Sequence, residues 1–239
     1  MQTMATRYAQ ARAKFADCQD HGPGSRAELF LVEGDSAASS VLAVRDERFQ
    51  AVLPLQGKPL NAWAASAAKV SRHVLFQQLA QALGLASPTA WPASSQHSAA
   101  VRFERVVLLF DPDADGIHIG ALTVLYFQRW LPQLIAGGQL WLARAPMFEL
   151  EVPAALRLVN GAASAPFHYA YNPPQCQQMA AQLRTQAGGA EVRVRAFRGL
   201  GSIAPELLRE RCVHPATRVA HALGAAEVQA VVDVFGGAT

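Results

Sequence analysis

An unbroken apolar run, Val106-Val-Leu-Leu-Phe110, leads directly into Asp111-Pro-Asp-Ala-Asp-Gly116. A strand-length run without a polar position suits the middle of a parallel sheet, buried on both faces. Three carboxylates at alternate positions on the turn that follows repel one another, and only solvent or a cation relieves the repulsion. Oxygen-only donors select a hard ion, Mg²⁺ or Ca²⁺. The spacing matches the start of an EF-hand loop but fails its end. The twelfth position is Leu122 where a bidentate Glu is needed, and the preceding element is a strand where a helix is required. A solvated loop that caps the next helix remains the plain alternative.

A second acidic position occurs in the same kind of setting. Glu28-Leu-Phe-Leu-Val32 is a short apolar run, and Glu33-Gly34-Asp35-Ser36 separates it from an Ala-rich segment, Ala37 to Val44. The pattern reads as strand, tight turn, helix, with Asp35 or Ser36 able to cap the helix. Taken alone, Glu33 is a carboxylate favoured by a helix dipole. In an open parallel sheet, however, functional groups collect outside the carboxyl ends of the strands. If the two strands are neighbours, Glu33 meets Asp111 and Asp113 across one crevice.

The rest of the chain supplies an α/β alternation. Ala51 to Leu55 is a second strand, followed by the turn Gln56-Gly57-Lys58-Pro59. Ala62 to Leu83 has helical spacing with Gly84 as its C-cap, and Ile117 to Ala136 reads as a helix closed by Gly137-Gly138. Ala86 to Ala100 is rich in Ser, Pro and Ala and reads as a loop. Gln139 to Arg144 and Met147 to Val152 alternate like strands. Later, Asn172-Pro173-Pro174 opens a helix through Leu183, Glu191 to Phe197 alternates like an exposed strand, and 205–212 and 216–235 read as helices.

Composition narrows the class. Of 239 residues, 51% are hydrophobic and 16% charged, which excludes a disordered chain. Three scattered cysteines, Cys18, Cys176 and Cys212, support neither a disulfide framework nor a zinc ribbon. The most apolar long stretch is broken by Gln128, Arg129, Pro132 and Gln133, and the N-terminus has no secretory pattern, so the expectation is a cytoplasmic protein with no membrane partner. A net charge of +3 is compatible with nucleic acid without demanding it.

Glu33-Gly-Asp-Ser-Ala37 and Asp111-x-Asp-x-Asp-Gly116 together resemble the two signatures of the TOPRIM domain, in the version found in type IIA topoisomerase B subunits (gyrase B and topoisomerase IV B). The resemblance extends through Lys14 to Asp20, Arg48 to Asn61, Val101 to Phe103, Gly116 to Ile119, Phe197-Arg-Gly-Leu-Gly201 and Pro215-x-x-Arg218, in the family's order. It implies an α/β fold with a Rossmann-like, mostly parallel sheet flanked by helices and a smaller C-terminal tail. The expected organisation is a lead-in over 1–27, a TOPRIM domain over 28–152 and a gyrase B type tail over 153–239.

The function implied is DNA cleavage and religation by a tyrosine on an A-type partner subunit, assisted by Mg²⁺. Carried over by position, Glu33 is the acid/base candidate and a metal ligand, and Asp111 and Asp113 are the main ligands. Asp115 supports them or holds a second ion. Lys58 contacts the DNA backbone near the cut and is counted with Glu33 as catalytic. His118 contacts DNA, orients the acidic loop, or simply caps its helix. Arg198 keeps the charge of the family's Lys without its point-donor geometry.

Several positions depart from the pattern. Ala38 and Ser39 replace paired glycines, with the expectation that they crowd the approach of DNA or a neighbouring helix. Gln56 stands in place of Lys or Arg, Gly120 of Arg, Ser202 of Glu, Ala196 of Arg and Phe110 of Thr. The lost cations are expected to weaken DNA binding and its salt dependence. The carboxylates are intact. With little before Glu28 and no Gly-rich nucleotide loop, the expectation is a short stand-alone chain without the ATPase half, located with the nucleoid, with a separate ATPase subunit as a further candidate partner. Two other readings stay open: a free-standing TOPRIM metal-dependent nickase or phosphotransferase, and a non-catalytic remnant that binds DNA or a partner.

Overall fold

A computed structural model describes residues 15–22, 24–91, 101–153, 156–159, 162–163 and 165–237. The proposed loop lies outside the described residues over 92–100, as does the lead-in over 1–14.

The first half builds a parallel sheet. β1 (Glu28–Glu33) is followed by α1 (Gly34–Leu42) and β2 (Gln50–Leu55). Two short helices, α2 (Ala67–Arg72) and α3 (Val74–Leu83), lead to β3 (Arg105–Leu108). Next come α4 (Ala114–Trp130), α5 (Pro132–Ala136) and β4 (Leu140–Ala143). β1 pairs in parallel with both β2 and β3, and β3 with β4. Alternate residues of the apolar strands go to opposite sides. Leu29, Leu31, Val106 and Leu108 join one core with α3 and α4, while Phe30, Val32, Val107 and Leu109 join a second core with α1. Two buried faces are the physical reason these strands read as continuous apolar runs. β2 lies at the sheet edge, where Pro54 has no N–H to offer a further neighbour.

The second half adds a three-stranded antiparallel sheet, β8–β5–β9, from β5 (Phe148–Glu151), β8 (Phe167–Ala170) and β9 (Val194–Ala196). A two-stranded piece, β6 (Leu158–Val159) with β7 (Ala162–Ala163), lies between them in the chain. α6 (Pro173–Gln186), N-capped by the Asn172 side chain, packs Cys176, Ala180 and Leu183 onto Leu150 and Ala170. Leu200, Ile203, Leu207, Leu208 and Cys212 then return to the main sheet and complete its second core beside α1.

Several expected boundaries move. The expected helix over 62–83 is two helices, because His73 takes an extended conformation (φ −76, ψ 121) and ends one helix as it starts the next. The helix expected over 117–136 begins at Ala114 and breaks at Leu131, whose backbone is pushed out of helical geometry ahead of Pro132. The helix expected over 216–235 is wrong in its first part: Ala220–Ala222 is β10, an antiparallel edge strand on β4, and only α8 (Ala225–Val231) and a wide turn to Gly236 are helical. The 205–212 helix is α7 (Pro205–Leu208), which runs into a wide turn through Val213.

One polar contact ties the tail to the sheet. Glu28 opens β1 at 1% exposure, and Arg218, 3% exposed, meets it with both guanidinium nitrogens, at 2.6 and 2.5 Å. Gln50 Nε2 donates to the same carboxylate at 3.0 Å, and Arg105 Nη1 at 3.3 Å. A buried charge held this way is satisfied on both oxygens.

Candidate metal centre and DNA-facing surface

β1 and β3 are neighbours, and the chain leaves them on opposite faces, to α1 from β1 and to α4 from β3. A crevice opens at such a switch point, outside the carboxyl ends of the strands. Glu33 and the Asp111 loop stand on its two sides.

Glu33 is the last residue of β1 and occupies the N-cap position of α1, with extended backbone and no capping bond from its side chain. The expected capping by Asp35 or Ser36 is therefore displaced, since the helix starts at Gly34, whose φ of +68° lets the strand turn without an intervening loop. Ala38 is taken into the second core, and the Ser39 hydroxyl donates to the Asp35 carbonyl at 2.8 Å.

Across the crevice, Asp113 caps α4 by accepting from Gly116 N–H at 2.8 Å. Gly116 is dictated by space, because a Cβ there would overlap the Asp111 carbonyl oxygen. Gly116→Ala is expected to cost at least ~2 kcal/mol, since backbone has to move to make room. Chemical denaturation of the variant measures it, and a change near zero contradicts the packing. Further along α4, Gly120 faces the Phe110 ring, 3.4 Å from where a Cβ would sit. The two departures at 110 and 120 are therefore in contact.

Asp111 is half-buried and held from behind. Its Oδ1 accepts from Leu200 N–H at 2.8 Å. Gly199, at φ +132°, lies so close that a Cβ would stand 2.5 Å from Oδ2. The glycine pair 199 and 201 is more than punctuation, because Gly201 sits against Ser36 of α1, with 3.2 Å from a built Cβ to the hydroxyl. One loop thus touches both sides of the crevice. No side-chain pattern marks a backbone amide as a partner of Asp111, so residue types alone did not expose this contact.

The turn after β2 reaches the crevice from another direction. Gln56 Nε2 donates to Asp35 at 2.7 Å, and Lys58 Nζ pairs with Asp115 at 2.7 Å. Both members of that pair are more than half exposed, so it opens at little cost. His118 follows one turn after the acidic loop, with its ring 6.0 Å from that of Phe235. Arg198 is exposed, with its amide bonded to the Ser202 hydroxyl at 2.8 Å and its guanidinium in no ion pair among the described residues.

The carboxylates feel one another. Burial raises the Glu33 carboxyl above its ordinary range, the charges of Asp111, Asp113 and Asp115 raise it further, and Lys58 offsets part of this. Asp111 is raised by burial despite the Leu200 bond, with Asp113 adding to it. Asp115 is lowered by its bond to Lys58. Among the described residues no three His, Cys, Asp or Glu side chains are grouped closely enough to hold a metal ion by themselves. Mg²⁺ does not need such a group, since it is held by one or two carboxylates and keeps several waters. One or two carboxylates from Glu33, Asp111 and Asp113 fit that requirement in donor chemistry. Asp115 is engaged by Lys58.

Comparison with known proteins finds matches to this part of the chain. The Toprim domain model matches residues 28–145. The chain is 35% identical over 214 residues to the B subunit of DNA topoisomerase 4 from Caulobacter vibrioides, covering 90% of this chain and 28% of that protein. It is 34% identical over 206 residues to the B subunit of DNA gyrase from Thermus thermophilus, covering 86% and 30%. It is 32% identical to the B subunit of DNA gyrase from Archaeoglobus fulgidus, covering 86% and 29%. The chain therefore spans less than a third of the length of these relatives. Among the described residues, no helix is long and apolar enough to cross a membrane.

Proposed function

We propose, from the match of residues 28–145 to the Toprim domain, that the chain is the Mg²⁺-binding cleavage-core module of a type IIA, ATP-hydrolysing DNA topoisomerase. It is B-subunit-like and acts in the cytoplasm on nucleoid DNA, with an A-type subunit that carries the catalytic tyrosine. The observation that carries the reading is the placement of Glu33 at the end of β1 and of Asp111 and Asp113 just beyond β3, its parallel neighbour, within the stretch that matches the Toprim domain.

Mg²⁺ bound there would stabilise negative charge on the transferring phosphoryl group and the leaving 3′ oxygen. Glu33 and Asp111 would hold it, with Asp113 completing the side of the crevice formed by α4. The raised carboxyl of Glu33 keeps its proton to higher pH than a free Glu, so proton and metal compete for it. Lys58 exchanges Asp115 for a DNA phosphate, and Arg198 offers an exposed guanidinium from the opposite loop. The described tyrosines are poor nucleophiles. Burial raises the hydroxyls of Tyr126, Tyr169 and Tyr171, and Tyr126 is fully enclosed with its hydroxyl bonded to the Pro88 carbonyl.

The metal part has a signature in pH. Glu33 and Asp111 are raised in the folded chain, so the folded state binds more protons than the unfolded one. Their contribution to stability is present at low pH and is lost as pH rises through their folded values. Mg²⁺ binding must displace those protons. Calorimetric titration with Mg²⁺ in buffers of different ionisation heat is expected to show proton release that is larger in acidic buffer and declines as pH rises. Binding without proton release, or no binding, contradicts the metal site. Co-sedimentation with an A-type subunit tests the partner: a stable complex supports it, and independent sedimentation at micromolar concentration contradicts it.

A further inference from the structure

The metal reading leaves open how Asp111 is held still. It sits just past the end of β3, in a loop of irregular backbone, with the like charge of Asp113 nearby. Its own loop supplies no side-chain donor to its carboxylate among the described bonds. The donor comes from 89 positions downstream, the N–H of Leu200, at 2.8 Å from Oδ1. Leu200 is itself immobilised in the second core, fully buried beside Phe30 and Val32 of β1.

Gly199 makes the approach possible in two ways. Its φ of +132° is open to glycine and strained for other residues, and a side chain would occupy the space of the Asp111 carboxylate. The same short loop is closed on itself by Ser202, whose hydroxyl accepts from Arg198 N–H and donates to the Gly199 carbonyl, both at 2.8 Å.

We propose that the Arg198–Ser202 loop is a positioning clasp. The Leu200 amide holds one oxygen of Asp111 while the Gly199 backbone lies against the other, so the carboxylate is set in a single orientation at the metal site, and Gly199 is the positioning residue that permits the contact. Ser202, at a position where the resembling family has Glu, serves here as the internal lock of the clasp. A carboxylate oriented by an amide loses less entropy when it takes a cation, and a hydrogen bond to its charged form favours that form.

The inference rests on the metal site proposed above, and the test separates the two. Mn²⁺ binding to the full chain is followed by electron paramagnetic resonance, beside thermal unfolding without metal. The key variant replaces the Leu200 amide by an ester, which removes the N–H and leaves the buried side chain intact. Gly199→Ala accompanies it. The expected result is Mn²⁺ affinity about ten-fold weaker in the ester variant, the usual effect of losing one hydrogen bond to a charged group. Its metal-free unfolding midpoint falls as well, because the bond is present without metal, so affinities are compared at a temperature where both chains are folded; Gly199→Ala weakens binding at least as much. Natural Mn²⁺ affinity in the ester variant, with Asp111→Asn binding poorly, overturns the clasp alone. Natural affinity in Asp111→Asn overturns the metal site and the clasp with it.

Discussion

Glu33→Gln and Asp111→Asn are each expected to lower Mg²⁺-dependent DNA cleavage, measured with an A-type partner, by about 10²–10³-fold, the scale of removing one charge-stabilising group from a cleavage site. Stability should move the other way. Both carboxyls are raised by burial and by neighbouring charge, so ionising them at neutral pH works against the fold. A neutral amide of nearly the same shape removes that penalty. The metal-free unfolding midpoint of each variant is therefore expected to equal or exceed that of the natural chain. Added Mg²⁺, which stabilises whatever binds it in the folded state, should raise the midpoint of the natural chain and leave the variants in place. Activity lost together with stability would mean that the acids are structural.

Arg218→Met is expected to give the largest loss of stability, about 3–5 kcal/mol, the range for breaking one side of a buried ion pair. Glu28 would remain at 1% exposure with only Gln50 and the longer contact from Arg105 to satisfy it. In a chain of this size that is a fall of roughly 10 °C in the unfolding midpoint. The double variant Glu28→Leu/Arg218→Met should recover most of the loss, because the pair itself contributes little beyond satisfying its own charges. Chemical denaturation of the single and double variants measures both values. If the single variant loses less than about 1 kcal/mol, the pair is not the tie between tail and sheet described above.

The parts of the fold that were legible in the amino-acid order are those in which local pattern and burial agree. Val106 to Phe110 and Glu28 to Val32 are apolar runs because the sheet is covered on both faces, and the charged residues that follow them mark where the crevice begins. Asn172 followed by two prolines announces α6 because the cap and the rigid first turn are both local. β10 was hidden because Ala-His-Ala has no strand character of its own, and only pairing with β4 makes it extended. The break at His73 was hidden for a similar reason: the apolar spacing continues across it while the backbone does not.

The site divides the same way. The acids were recognisable from their type and their place after apolar strands. The bond from Leu200 to Asp111 and the ion pair from Arg218 to Glu28 were not, since they span 89 and 190 positions and one of them uses no side chain on the donor side. Lys58 was expected to face DNA and is found on Asp115. Both placements follow from one position at the mouth of the crevice, where an exposed ammonium goes to whichever anion is present.

The measurement that bears most directly on the proposed role is trapping of protein–DNA adducts. Supercoiled DNA is incubated with the chain, with an A-type subunit, and with both, in Mg²⁺ and in chelator, then denatured and digested. The expected result is DNA covalently attached to the A-type subunit only when this chain and Mg²⁺ are both present. DNA nicked by the chain alone with unattached ends, or adduct that forms equally well without it, would contradict the assignment of a metal-binding module that serves a partner's tyrosine.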